Sequence, residues 1–148
     1  MLKKIRLIFI IMMLFAGCAI AEENNTKDKN PYKVTPLTTK DDSQDDIVQI
    51  KTTFDSIAQG ETNWHSEYIG SYITTLDVDL DWGDSSDSLK LTIYTADGHT
   101  LGPYYDSADG PIDGRIHLRI KNSNGIATGT WNYRVYGYSV SGTETYSI

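Results

Sequence analysis

The chain has 148 residues, a formal net charge of −7 and a single cysteine. That length suits one domain, and the acidic balance argues against a phosphate-backbone binder, which needs clustered lysine and arginine. One cysteine allows no disulfide within the chain, so a fold outside the cytoplasm must rely on its core.

The first 21 residues read as an export signal. Lys3, Lys4 and Arg6 precede an unbroken apolar run from Leu7 to Phe15, and small residues then lead to Ala21 and Glu22. The apolar run is shorter than the roughly 20 residues of a membrane span. Ala19-Ile20-Ala21 fits ordinary cleavage and a secreted product starting at Glu22. Leu14-Phe15-Ala16-Gly17-Cys18 instead resembles a lipobox, with Phe15 where leucine is usual, and makes Cys18 the lipidation candidate. Either route predicts an extracytoplasmic protein that meets the membrane only through an N-terminal lipid, or through the signal itself if it stays as an anchor. Residues 22–46 hold few large apolar side chains and two prolines, Pro31 and Pro36. They cannot bury enough surface to offset their ordering entropy, so a flexible polar linker is expected there.

From Ile47 to Ile148 the pattern is that of β-structure. Short alternating runs cover Ile47–Phe54, Trp64–Ile69, Ile73–Trp82, Leu89–Ile93, His99–Tyr104, Ile112–Ile120, Thr130–Tyr138 and Thr143–Ile148. Asp97-Gly98, Asn124-Gly125 and Ser141-Gly142 punctuate them as turn signals. No stretch holds a helical period. These features predict an all-β, jelly-roll-like β-sandwich of about eight antiparallel strands over 47–148, with a closed barrel as the structural alternative.

Three segments then suggest a family. Gly60-Glu61 opens a strand with aromatic residues, Trp64 to Ile69. Asp87-Ser88-Leu89-Lys90-Leu91-Thr92-Ile93-Tyr94-Thr95-Ala96-Asp97-Gly98 resembles a D-x-L-D-L-x-L-Y-x-x-D-G signature. Gly129-Thr130-Trp131-Asn132-Tyr133-Arg134-Val135 resembles a G-T-W/Y-x-x-R-V ending. Over about residues 52–148 the chain thus resembles the bacterial and archaeal pre-peptidase C-terminal domains, departing from them at Lys90, where the second aspartate is usual. The resemblance implies a jelly-roll-like sandwich serving as a non-catalytic module that binds matrix protein or polysaccharide, in some members with calcium.

Chemistry is sparse in the residues themselves. Nucleophilic catalysis needs a histidine beside a serine or threonine and a third group to orient it. His65, His99 and His117 are available, but no G-x-S-x-G elbow surrounds any serine. The histidines also lack zinc-site spacing, and the chain reads as no enzyme. Calcium suits loops rich in aspartate and carbonyls. The candidate ligands are Asp81, Asp84 and Asp87, with Asp106–Gly114 a second acidic loop, and neither reproduces an EF-hand. In the run L-D-V-D-L-D-W-G, same-face aspartates would lie about 7 Å apart, so Asp77 and Asp79 read as the wet face of a strand. If this strand formed a hairpin with the one starting at Ser88, Asp81 would oppose Lys90.

Most of the tryptophans and tyrosines alternate into apolar faces and are expected in the core. Tyr104, Tyr105, Tyr136 and Tyr138 fit that scheme less well and are the candidate ligand-binding aromatics, able to stack on sugars or anchor a protein. The expectation is a non-catalytic binding or adhesion module for polysaccharide or an extracellular protein. The alternatives are a structural envelope spacer and a stand-alone hydrolase.

Overall fold

The computed structural model describes residues 29–37 and 52–148. The expected export signal with Cys18, most of the expected linker and the start of the Ile47–Phe54 run lie outside the described residues.

Among the described residues the elements are β1 (Lys33–Pro36), β2 (Phe54–Ala58), β3 (Thr62–Ile69), β4 (Thr75–Asp81), β5 (Ser88–Tyr94), β6 (Thr100–Tyr105), β7 (Arg115–Lys121), β8 (Gly129–Ser139) and β9 (Thr143–Ser147), with a 3-10 turn at Asp106–Ala108. Two antiparallel sheets form, one ordered β1-β7-β4-β9-β2 and the other β3-β8-β5-β6. From β2 onward the chain changes sheet at every connection except the β5–β6 hairpin, which is the winding of a jelly roll. The all-β sandwich expected from the alternation is thus the fold.

Alternation decides what each strand buries. Leu76, Val78 and Leu80 of β4 and Ile116, Leu118 and Ile120 of β7 line the inner face of the first sheet. Leu89, Leu91 and Ile93 of β5 and Trp131, Tyr133 and Val135 of β8 line the second. Each fully buried aliphatic side chain contributes about 1.5–3 kcal/mol relative to exposure. Trp131 is the largest of the fully buried side chains, and its indole N–H donates to the Ala127 carbonyl at 2.9 Å.

Two expectations need correction. The polar stretch 22–46 contains β1, which pairs with the open edge of β7 from Lys33↔Lys121 to Pro36↔Leu118. Tyr32, just before it, is buried. Its hydroxyl donates to Asp97 at 2.8 Å, and its ring meets Trp131 edge-on at 5.3 Å. Proline is tolerated here because β1 is an edge strand. The second correction concerns Asp81. Since β4 and β5 belong to different sheets, Asp81 does not oppose Lys90; it pairs with Arg115 on β7.

Candidate functional site

The outer face of the β3-β8-β5-β6 sheet gathers most of the exposed aromatic residues; Phe54 on β2 of the other sheet and Tyr72 between β3 and β4 stand apart. On β8, Trp131, Tyr133 and Val135 point inward, so Thr130, Asn132, Arg134, Tyr136 and Tyr138 point outward by the two-residue period. The register then sets their neighbours. Tyr136 lies between Thr62 of β3 and Lys90 of β5, and Lys90 lies opposite Tyr105 of β6. One step along, Arg134 lies between Trp64 and Thr92. Trp64 and Tyr68 are 58% and 70% exposed, and Tyr138 is 51% exposed.

The rings are organised as contacting pairs. Trp64 and Tyr94 have centroids 5.5 Å apart, and Tyr105 meets Tyr138 edge-on at 5.1 Å. The Lys90 ammonium sits 4.4 Å from the Tyr136 ring centre and 5.9 Å from that of Tyr138. The Arg134 guanidinium lies 6.0 Å from the Tyr94 ring and donates to the Thr92 hydroxyl at 3.3 Å. Each cation is therefore held against aromatic faces, an arrangement worth about 0.5–1 kcal/mol at exposed sites.

Of the four tyrosines singled out from sequence, Tyr105, Tyr136 and Tyr138 stand on this face. Tyr104 does not: it is half-buried and packs against the core, opposite the fully buried Leu91. Burial raises its phenol above the usual tyrosine value. Trp64, expected in the core, is a second correction. Ile69 is buried and lies five residues further along the same strand, so parity puts the two on opposite faces. The inner side of β3 is instead polar, formed by Asn63, His65 and Glu67. Trp64, Tyr68, Tyr94, Lys90 and Arg134 were not read as site residues, although the same parity rule would have found the first two.

The aspartates divide differently from expectation. Asp77 and Asp79 stand on the outward face of β4, as expected, but each is paired there with an arginine. Arg119 donates from Nε and Nη2 to Asp77 at 2.8 and 2.9 Å, and Arg115 makes the same two-pronged contact with Asp79 at 2.7 and 2.6 Å. Asp81 turns toward Arg115 as well, at 3.9 Å. The acidic group consists instead of Asp84, Asp87 and Glu144 of β9, one carboxylate oxygen of each lying within 4.8 Å of the others. Glu144 was invisible in sequence, because its approach depends on which strands share the end of the sandwich.

Much of this acidic group's bonding is spent on the fold. Asp87 is buried and accepts from the Ser141 backbone N–H at 3.1 Å. Asp84 accepts from the Ser86 N–H and hydroxyl at 2.8 and 2.7 Å, which holds its carboxyl below the usual aspartate value. Two carbonyls of the turn, at Asp84 and Asp87, accept from the Trp82 indole at 3.0 and 3.3 Å. Desolvation, together with the charges of Asp87 and Asp84, raises Glu144. In the second acidic loop, Asp106 accepts from three backbone N–H groups, of Asp113, Gly114 and Arg115, at 3.2 to 3.3 Å. Asp109 accepts from the His117 N–H at 2.8 Å.

The histidines keep separate company. His65 shares a 2.7 Å hydrogen bond with the Tyr146 hydroxyl and lies 3.7 Å from Asp55. Burial lowers its pKa, against the opposing pull of Asp55. His99 sits 3.4 Å from Asp97 and edge-on to Tyr32. His117 lies on β7 opposite Asp79.

The molecule is thus a jelly-roll sandwich with one aromatic, cation-bearing outer face. No family model matches the chain. Its sequence is 47% identical over 51 residues to an uncharacterised protein of Archaeoglobus fulgidus, an alignment covering 34% of this chain and 71% of the archaeal one. The chain belongs to the same family as that archaeal protein.

Proposed function

We propose that this protein is a non-catalytic binding or adhesion module working outside the cytoplasm, and that it binds through the outer face of the β3-β8-β5-β6 sheet. The observation that carries the reading is the concentration on one face of Trp64, Tyr68, Tyr94, Tyr105, Tyr136 and Tyr138, several of them in ring-to-ring contact. Scattered exposed apolar residues are ordinary, whereas contiguous patches mark interaction surfaces. Aromatic rings suit this role because they offer large contact area at small entropic cost. Rings spread over a pleated face can stack against the flat sides of sugar rings or seat a protein partner.

The export signal and the resemblance to pre-peptidase C-terminal domains support the same reading. In it the N-terminal segment delivers the module, either tethered by lipid at Cys18 or released after Ala21. The two exits differ by the mass of the mature N-terminus, which decides between them.

The test uses an array of polysaccharides and matrix proteins, with Trp64→Ala and Tyr138→Ala as variants. Retention of the native protein on one ligand class, lost in both variants while each still unfolds in one cooperative transition above the assay temperature, is expected. A spacer would give no retention, and equal retention of both variants would remove the face from consideration.

A further inference from the structure

The aromatic face differs from the rest of the molecule in charge as well as in shape. The chain carries 20 acidic residues against 13 basic ones. Yet the outward positions of β3, β5 and β8 that the register defines hold threonine, serine, asparagine, aromatic residues, Lys90 and Arg134, with no carboxylate among them. On the opposite sheet, outward arginines are matched by outward aspartates across β4 and β7. Among the described residues neither Lys90 nor Arg134 has a carboxylate partner. Both are oriented by rings instead, Lys90 over Tyr136 and Arg134 beside Tyr94.

We infer that the ligand of this face is an acidic polysaccharide: sugar rings stack on the tyrosines and Trp64, and its carboxylates accept hydrogen bonds from Lys90 and Arg134. The inference rests on the surface proposed above and adds the charge of its ligand. Lys90 pairs across the strands with Tyr136, two residues from Arg134. The two cations are therefore diagonal neighbours on one face, about 7–8 Å apart at the backbone. One ligand chain crossing the strands can reach both. Hydrogen bonds to charged groups are the stronger kind, and Arg134 presents a planar donor set suited to a carboxylate.

The remaining outward residues, Thr62, Ser66, Thr130 and Asn132, are small and neutral, fit to meet sugar hydroxyls. A nucleic acid carries a phosphate at every nucleotide and calls for clustered lysine and arginine; two cations in a hydroxyl-rich setting match a sparser charge. The net charge of −7 repels polyanions at long range, so binding must be local. It should accordingly weaken with salt only to the extent of two contacts.

The experiment compares binding of the full chain to hyaluronate, alginate and polygalacturonate with binding to methyl-esterified polygalacturonate, dextran and oligo(dT). Binding to at least one acidic glycan is expected, together with weaker binding at higher salt. A loss of about tenfold or more should follow Lys90→Gln combined with Arg134→Gln. Trp64→Ala with Tyr138→Ala should abolish binding, and both double variants should still unfold in one cooperative transition above the assay temperature. Equal binding of polygalacturonate and its methyl ester, or indifference to the cation variants, would overturn the charge assignment while leaving the aromatic face in place. No binding to any glycan would overturn this inference, and the surface itself falls if the aromatic variants also retain every ligand on the array. Preference for oligo(dT) would replace the glycan with a nucleic acid.

Discussion

Asp77 and Asp79 stand on the same strand and each takes two hydrogen bonds from an arginine, but the pairs differ in depth. The Arg119 and Asp77 side chains are only 4% and 13% exposed, those of Arg115 and Asp79 33% and 41%. Removing one member of a buried pair leaves an uncompensated charge and costs about 3–5 kcal/mol, while an exposed pair contributes about 0–1 kcal/mol. Arg119→Met should therefore destabilise the protein by several kcal/mol in denaturant melts, and Asp79→Asn by less than about 1 kcal/mol. A similar logic applies to Glu144, with the opposite sign. Its pKa is raised in the fold, so the folded state is favoured while Glu144 is protonated and loses that advantage as pH rises through the folded pKa. Glu144→Gln should raise the melting temperature near pH 7, with the gain vanishing below the ordinary glutamate pKa. A calcium-induced rise that this substitution abolishes would instead make the Asp84–Asp87–Glu144 group a cation site. His65 behaves as the reverse case: its lowered pKa makes stability fall as pH drops below the ordinary histidine range, and His65→Gln should flatten that part of the melting curve.

At the scale of elements, parity explains both what could be read in the sequence and what could not. The strand positions from β3 to β9 followed from alternation, because each buries one face. So did the outward placement of Tyr136 and Tyr138, once Trp131, Tyr133 and Val135 were taken as core. Pairing partners were not legible: an Asp-rich turn between Asp81 and Ser88 looks the same whether it makes a hairpin or crosses between sheets. Strand β1 was missed because Val34 is the single aliphatic residue among its four, and its pairing is supplied by the open edge of β7. Gly137 shows a constraint of the same non-local kind. A Cβ there would lie 2.2 Å from the Ala58 carbonyl oxygen, at the place where the Gly60 N–H donates to the Gly137 carbonyl at 2.9 Å. Since this atom is backbone and cannot turn aside, Gly137→Ala should destabilise by about 1–3 kcal/mol or more, seen as a lowered denaturation midpoint. Trp131→Ala, which empties the centre of the core, should cost about 3–5 kcal/mol.

For the whole molecule, the two outer faces follow different rules. The β1-β7-β4-β9-β2 face neutralises itself with aspartate and arginine, so it presents little unsatisfied charge. The β3-β8-β5-β6 face keeps its rings and cations open. Single substitutions of outward residues on that second face should cost no more than the ring and cation contacts they remove, about 1 kcal/mol each, measured by thermal melting, while changing binding through the proposed surface. This separation of stability from recognition is a checkable property of the fold.

Tyr32 gives the sandwich a mechanical character. It precedes a four-residue edge strand, yet its ring reaches across to the other sheet, against Trp131 and bonded to Asp97. Tension arriving from the N-terminal side meets this ring before it meets β1. An edge strand alone would peel away one hydrogen bond after another; here the pull must first draw an aromatic ring out of the core. A pull applied on the N-terminal side of the described residues would thus first have to free a single buried tyrosine.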